Sequence, residues 1–256
     1  MLLVADVGNT TIHIGIYGSG RLHREYRLRS RADDLPDDLA IRLSGLLGSA
    51  PQVEAAAIGS VVANLGENLQ AALSGHFGIE AELLRPETVR QADIRVQPPS
   101  SLGIDRLANL FGAEELLAGG RYAVAVDLGT ATSFDVLQGE RTFLGGIIGA
   151  GLASTAGALS SAASRLPRVP LEPPPSAIGH NTQEAMQSGL VLGHAAMVDG
   201  MLARIQAELP GPAAILLTGG YAGLIAPLLR TPHQWRASLT LDGLKRIWEL
   251  TRQPPS

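Results

Sequence analysis

Short apolar runs alternate with segments of helical periodicity along this chain of 256 residues. Residues 2–5 and 122–126 are apolar runs, and each is followed by a polar turn and a second run with β-strand character. Residues 33–47 have the apolar spacing of one helix face, and residues 64–77 predict a second helix. Strands that alternate with helices in this way indicate an α/β fold.

The second half of the chain repeats the opening strands and then adds longer elements. A helix is predicted from residue 104 to about 117, and five prolines within residues 167–175 predict an extended loop. One long helix is predicted over residues 182–208, with Asn181 or Thr182 as its N-cap.

One polar turn occurs twice, each time directly after an apolar run. The first copy is Asp6-Val7-Gly8-Asn9-Thr10-Thr11, and the second is Asp127-Leu128-Gly129-Thr130-Ala131-Thr132. A repeated strand–turn–strand unit predicts two similar domains, residues 1–112 and 113–256, with a cleft between them.

The residue types of these two Asp-turns suit a phosphate site. One copy alone would indicate an ordinary turn, because Asp accepts backbone hydrogen bonds and Gly supplies positive φ. Two copies in matched strand contexts favour a functional site. Backbone N–H groups and the hydroxyls of Thr10, Thr11 and Thr130 can donate to phosphate oxygens, and Asp6 and Asp127 can hold a cation that offsets the charge. A nucleotide-dependent phosphotransferase is therefore the leading hypothesis.

Two further motifs carry chemistry that such an enzyme needs. Thr218-Gly219-Gly220 would let a nucleobase and ribose lie on its backbone, although alone it indicates only a tight turn. Gly103-Ile104-Asp105-Arg106 begins a predicted helix, where an acid is expected from the helix dipole alone. In a kinase that acts on an alcohol, however, Asp105 would accept the hydroxyl proton and Arg106 would bind an anionic group.

Composition narrows the class of protein. A net charge of −4 with no basic run argues against nucleic acid as a ligand, and the absence of cysteine excludes disulfides and thiolate zinc sites. The one lysine, Lys245, does not lie in a Gly-Lys-Ser/Thr sequence, which excludes a Walker-type phosphate loop. The longest apolar stretch, residues 143–153, is too short to span a bilayer, and the sequence shows no signal peptide. A cytoplasmic protein is expected.

The order of these motifs resembles that of a known superfamily. Two Asp-turns and a strand followed by Gly-Gly are similar to the two phosphate sites and the adenosine site of the acetate and sugar kinase/heat-shock chaperone/actin superfamily. That resemblance implies two similar ribonuclease H-like domains, the actin-like ATPase fold. A longer series also resembles the type III pantothenate kinases, or Bvg accessory factor family. It adds Gly103-Ile104-Asp105-Arg106, Gly145-Gly146 and Gly179-His180-Asn181-Thr182.

The resemblance implies ATP-dependent phosphorylation of pantothenate to 4'-phosphopantothenate, the first step of coenzyme A synthesis. It implies that Asp105 is the proton acceptor and that Asp127 binds potassium or ammonium, with Mg²⁺ accompanying ATP. Thr182 would contact substrate across a homodimer interface. The other implied contacts form two sets. The ATP phosphates would be held by Asp6, Val7, Gly8, Asn9, Thr10, Thr11 and Thr130, and pantothenate by Gly103, Ile104, Asp105 and Arg106.

The sequence departs from the family pattern at two positions. Val96 stands where the family usually has a substrate-contacting Tyr, and Ala150 stands where a Pro is usual. Two alternatives therefore stay open beside the pantothenate kinase. One is a kinase for another small hydroxylated acid, which Val96 allows. The other is a nucleotide-binding regulatory protein of the same fold.

Overall fold

The computed structural model describes residues 1–48, 52–119, 121–139, 141–163 and 165–252. Its contacts divide the chain into two compact units. The first unit combines Met1–Gly112 with the chain from Ser238 onward, and the second unit is Ala113–Ala237.

Strands and helices alternate along most of the described chain. Up to Gly112 they are β1 (Leu2–Val7), β2 (Thr11–Gly18), β3 (Arg21–Arg29), α1 (Pro36–Leu47), β4 (Ala55–Ser60), α2 (Leu65–Phe77), β5 (Glu80–Leu84), β6 (Asp93–Ile94) and α3 (Ile104–Gly112). Later elements are α4 (Glu114–Leu117), β7 (Tyr122–Leu128), β8 (Ala131–Gln138), β9 (Thr142–Ala150), α5 (Leu152–Ala162), α6 (Thr182–Gln187), α7 (Gly193–Glu208), β10 (Ala213–Thr218), α8 (Ala222–Ile225), β11 (Gln234–Trp235) and α9 (Leu239–Thr251).

The first unit is built on a sheet with the strand order β3-β2-β1-β4-β5. The hairpin partners β1, β2 and β3 are antiparallel, whereas β4 and β5 add in parallel. Alternate side chains of a strand point to opposite faces. Leu3, Ala5 and Val7 accordingly pack with the buried leucines of α1 and α2, while α3 and α9 pack together and contact β4.

The second unit repeats this architecture. Its strands follow the order β9-β8-β7-β10-β11, and again three antiparallel strands are followed by two parallel ones. Its core consists of apolar residues from β7 and β10 with the long helix that ends in α7. The predicted α/β class and the repeated fold are therefore confirmed.

Most predicted elements occur, with three differences that have local causes. The helix predicted over residues 182–208 is continuous, but a π-helical segment, Ser188–Leu192, joins α6 to α7. Helix α1 begins at Pro36 rather than residue 33, because Pro is favoured at the first helical position. The helix predicted to reach residue 117 ends at Gly112, a poor helix former, and resumes at Glu114, whose carboxylate accepts from Arg141 at 2.8 Å.

The C-terminal helix belongs to the first unit, whereas the sequence-based division assigned it to the second. Leu241, Leu244 and Ile247 of α9 are buried. Leu241 and Leu244 lie against Gly15 and Gly59, where a larger residue would leave too little space for them. Within the described residues, no helix is long and apolar enough to cross a membrane.

Candidate active site

The first Asp-turn closes tightly at the carboxyl end of β1. Asp6 pairs with His13 of β2 and with Gly59 of β4. The Gly8 N–H donates to the Thr11 carbonyl at 3.0 Å, which fixes the loop. Asn9 and Thr10 are exposed at its tip. The turn thus presents polar groups on a rigid strand frame.

Ser30, just after β3, donates two hydrogen bonds to this turn. Its N–H donates to the Thr10 carbonyl at 2.9 Å, and its hydroxyl donates to the Gly8 carbonyl at 2.6 Å. Two of the loop's carbonyl oxygens are therefore satisfied within the protein. This arrangement holds the loop in one conformation.

The Gly103–Arg106 motif lies beside the first Asp-turn. Val61 connects them, because its N–H donates to the Val7 carbonyl at 3.1 Å and its Cγ1 lies 3.4 Å from where a Cβ on Gly103 would be. A Cβ on Gly103 would also collide with Oδ1 of Asp105, so a larger residue there would displace the carboxylate. The glycine of this motif has a steric cause, because the Asp105 carboxylate lies close to the backbone at Gly103, just before α3.

Asp105 has the environment of a proton acceptor. Burial raises the pKa of its carboxyl group, and the N–H of Arg106 and the Arg106 guanidinium partly oppose that rise. The Arg106 N–H donates to Oδ1 at 2.8 Å and so orients the carboxylate. A desolvated, oriented carboxylate with a raised pKa is suited to general-base catalysis.

Helix α9 holds the helix that carries Asp105, and sequence reasoning missed this role. A Cβ on Gly243 would collide with the Ala108 carbonyl, so the two backbones touch one turn beyond Asp105. The buried Thr240 hydroxyl donates to Oδ1 of the buried Asn109 at 3.0 Å. An Asn within the apolar face of a helix was the available signal, because a buried polar side chain requires a partner.

The second Asp-turn has the same strand frame and a different support. Asp127 pairs with Ser133 of β8 and Thr218 of β10, and the Gly129 N–H donates to the Ala131 carbonyl at 3.0 Å. The support comes from the start of α5. The Thr130 carbonyl accepts from the Gly151 N–H at 3.2 Å and from the Ser154 hydroxyl at 2.7 Å, while the Thr130 residue is exposed.

The Thr218-Gly219-Gly220 segment packs directly on Asp127. Gly219 has a φ of +92°, and a Cβ there would collide with Oδ1 of Asp127 and the backbone of Leu128. A Cβ on Gly129 would lie 3.3 Å from the same oxygen. The Tyr221 N–H donates to the Leu128 carbonyl at 2.9 Å and secures the contact. Two separate motifs thus meet at one carboxylate.

Thr182 occupies the first position of α6. The Asn181 side chain accepts from the Glu184 N–H at 2.9 Å, and the Glu184 carboxylate accepts from the His180 N–H at 2.8 Å. The bond to the Asn181 side chain is an N-cap interaction, and it confirms the predicted helix start. Thr182 is exposed.

Similarity to known proteins agrees with these features. The sequence model of type III pantothenate kinase matches residues 2–204. A type III pantothenate kinase of Deinococcus radiodurans is 46% identical over 250 residues, which cover 96% of this chain and 95% of the relative. This chain belongs to the type III pantothenate kinase family.

Solved structures support the fold of this family member. A Baf family protein of Campylobacter jejuni matches 97% of this chain and 98% of its own with a TM-score of 0.57 and 21% identity. A ROK family glucokinase of Streptomyces griseus, solved with glucose and AMPPNP, matches 98% and 100% with a TM-score of 0.52 and 15% identity. At these identities the matches show a shared fold.

The donor groups of this family member suit a cation bound together with a nucleotide. Among the described residues, no group of three or more His, Asp or Glu side chains is placed to hold a metal alone. Mg²⁺ in kinases is commonly held by one or two carboxylates with phosphate oxygens and water. The Asp127 carboxylate lies close to Gly129 and Gly219, and it can supply an oxygen to a cation site that a bound nucleotide completes.

Proposed function

We propose that this enzyme transfers the γ-phosphoryl group of ATP to the terminal hydroxyl of pantothenate and forms 4'-phosphopantothenate, the first step of coenzyme A synthesis. Membership of the type III pantothenate kinase family supports the reaction. The observation that carries the chemistry is the desolvated Asp105 carboxylate, oriented by the Arg106 N–H beside the first Asp-turn.

Asp105 would act as the general base. As the pantothenate oxygen bonds to the γ-phosphorus, its proton passes to the Asp105 carboxylate, and the bond from phosphorus to the β–γ bridging oxygen breaks to release ADP. Gly103 and Ile104 would line the pantothenate site. The Arg106 guanidinium would bind an anionic group of the substrate.

The two Asp-turns would bind the nucleotide phosphates. In the first unit these contacts come from the turn that begins at Asp6, through its N–H groups and hydroxyls. In the second unit they come from Thr130, whose loop is held by Gly151 and Ser154. Asp127 would hold potassium or ammonium, and Mg²⁺ would accompany ATP. Such cations offset phosphate charge as it moves to the leaving group.

The protein's setting is also part of the proposal. We place the enzyme in the cytoplasm as a homodimer, with ATP and pantothenate as its ligands and no nucleic-acid partner. The exposed Thr182 at the capped start of α6 is available to reach the active site of a second copy. Sedimentation of the purified protein at micromolar concentration would test this, and a monomer would contradict it.

Two residues of this chain bear on the alternative functions, which are a kinase for another substrate and a regulatory protein. Val96, in the position of the usual Tyr, leaves room for another small hydroxylated acid as substrate. A regulatory nucleotide-binding protein would not need the desolvated Asp105, and the presence of that group favours the kinase.

An assay of the purified protein tests the proposal. ATP and pantothenate are supplied in potassium buffer and again in sodium buffer, and phosphopantothenate is identified by mass. We expect product in potassium and much less in sodium. No product in either buffer, with ATP binding intact, would favour the regulatory protein. Faster turnover of a different hydroxy acid would identify that acid, and not pantothenate, as the substrate. Equal rates in both buffers would refute the cation role of Asp127.

A further inference from the structure

We infer that Trp235 is the stacking platform for the adenine base of the nucleotide. The inference rests on the proposed function, because it assigns a residue to the ATP that the kinase uses. Trp235 is one of two tryptophans in a chain whose aromatic content is 4%. It was not singled out by any sequence pattern.

Trp235 is unusually exposed for such a large apolar side chain. It retains 57% of its surface accessible to solvent. Aromatic side chains of this size are normally well buried, and those at the surface often mark a binding site. An exposed tryptophan therefore needs an explanation beyond the packing of the second unit.

The backbone that carries this ring is held in place. Trp235 pairs with Leu217 in the parallel β10–β11 ladder, and the Arg236 N–H donates to the Leu217 carbonyl at 2.8 Å. The preceding loop is anchored by Asp199, which accepts from the N–H groups of Arg230 and Thr231 at 3.0 Å each. A tryptophan has few rotatable bonds, so on a fixed backbone it loses little conformational entropy when a ligand stacks on it.

The ring lies against Gly223 of α8, the helix that follows the glycine-rich turn in contact with Asp127. A Cβ on Gly223 would be only 3.0 Å from Cη2 and 3.3 Å from Cζ2 of Trp235, so the indole covers that glycine closely. At Gly220, by contrast, a Cβ would meet no atom within 4 Å. The tryptophan therefore covers a glycine of α8, whereas the surface of Gly220 in the turn is open.

This combination suits a flat aromatic group attached to a phosphate chain. The base would stack on the indole of Trp235, the ribose would pass the open backbone at Gly220, and the phosphates would extend toward Gly219 and Asp127. Base–aromatic stacking is sequence-tolerant and needs no hydrogen-bond pattern. The site would thus accept purine nucleotides in general, with the phosphates supplying most of the selectivity.

Tryptophan fluorescence tests the inference directly, because the chain offers a matched control. In Trp248→Phe, Trp235 is the only emitter, and in Trp235→Phe, Trp248 is the only emitter. Trp248 belongs to α9 in the first unit, with the Arg252 guanidinium 4.6 Å from its ring centre. Both variants are titrated with ATP and with inorganic tripolyphosphate, which lacks the base.

We expect ATP to quench the emission of Trp248→Phe in a saturable manner. Tripolyphosphate should leave that emission unchanged, and neither ligand should alter the emission of Trp235→Phe. Unchanged emission of Trp248→Phe, in a sample that still phosphorylates pantothenate at the same ATP concentration, would overturn the inference and leave the kinase function intact. Quenching without any phosphorylation would keep the base site and refute the proposed reaction.

Kinetics provide the second test. For Trp235→Ala we expect KM for ATP to rise about 5- to 140-fold, which corresponds to the ~1–3 kcal/mol of base–aromatic stacking at about 1.4 kcal/mol per tenfold change. The kcat and the KM for pantothenate should stay within about threefold. Trp235→Phe, which keeps an aromatic face, should restore most of the ATP affinity. An unchanged KM for ATP in Trp235→Ala would contradict the inference.

Discussion

The two Asp-turns share one strand frame but differ in what surrounds the carboxylate. In each turn, the Asp is the last residue but one of its strand. The carbonyl of the strand's last residue accepts a hydrogen bond from an adjacent segment: Val7 accepts from the Val61 N–H, and Leu128 accepts from the Tyr221 N–H. Beside Asp6, however, the neighbouring strand continues through Gly59 and Ser60. Beside Asp127 it turns at Gly219, in a left-handed conformation pressed against the carboxylate.

This difference shows how two copies of one scaffold come to have different surroundings. The strand frame is common to both units, so it accounts for a tight polar turn in each. The specialised groups come from outside the repeat. The first turn has the Asp105 helix as its neighbour through Val61, whereas the second has Gly219 close against the Asp127 carboxylate. We therefore expect variants of the two turns to fail in different ways.

The largest effect is expected from Asp105→Asn, which removes the proposed general base beside the first turn. The kcat should fall about 10²- to 10⁴-fold, the usual contribution of general-base catalysis, while ATP affinity measured by calorimetry stays within about threefold. Near-normal turnover of this variant would refute the role of Asp105.

The same substitution should stabilise the fold at neutral pH. Burial raises the folded-state pKa of Asp105, so the folded protein favours the protonated carboxyl more than the unfolded chain does. Its contribution to stability is therefore lost as pH rises above the unfolded pKa, and an uncharged Asn avoids that loss. Thermal unfolding at pH 7 should show a higher Tm for Asp105→Asn, and a lower Tm would contradict the burial argument.

The next largest effect should come from Gly219→Ala in the second turn. The new Cβ would meet the Asp127 carboxylate, and the φ of +92° is strained for any L side chain, so we expect a loss of about 2 kcal/mol or more of unfolding free energy. Activity should fall with it. Gly220→Ala is the matched control, because its Cβ meets nothing within 4 Å, and its stability should change by less than about 0.5 kcal/mol.

Around the two turns, the sequence predicted the features that depend on residues close together in the chain, and it missed the contacts between distant residues. The turns, the cap at Asn181 and the long helix follow from local patterns, so they could be recognised in the chain itself. The contact of Gly219 with Asp127 arises because β7 and β10 pair in parallel although they are far apart in sequence. Such pairing leaves no local signal.

The remaining surprises have the same physical origin. Helix α9 joins the first unit through backbone contact at Gly243, and a glycine in a helix does not by itself reveal its partner. Trp235 lies on a two-residue strand, too short to show any periodicity. The roles of the individual turn residues stay predictions.

Substitution of the two turn carboxylates should have moderate effects on the kinetics, and these effects should differ between Asp6 and Asp127. Asp127→Asn should remove the preference for potassium over sodium, so that the ratio of the two rates falls to about one. Asp6→Asn should keep that ratio and raise KM for ATP about tenfold. Initial rates in matched buffers measure both. A potassium preference that survives in Asp127→Asn, or disappears in Asp6→Asn, would reverse the assignment.

The smallest effects should come from the two serines that support the loops. Ser30→Ala removes the bond to the Gly8 carbonyl, and Ser154→Ala removes the bond to the Thr130 carbonyl. Each bond contributes about 1 kcal/mol or less, so KM for ATP should rise about two- to fivefold. Ser30 is the more buried of the two and should have the larger effect. Equal or reversed effects in ATP kinetics would show that burial of the bond does not set its contribution.

The pH dependence of kcat/KM for pantothenate tests the central claim most directly. If Asp105 is the base, activity must be lost as pH falls through its pKa, which burial raises above the ordinary value of 3.8 for an Asp carboxyl. The account predicts a single acid limb with its midpoint above that value in the wild-type enzyme, and no such limb in the residual activity of Asp105→Asn. The same limb in both proteins would show that another group accepts the proton.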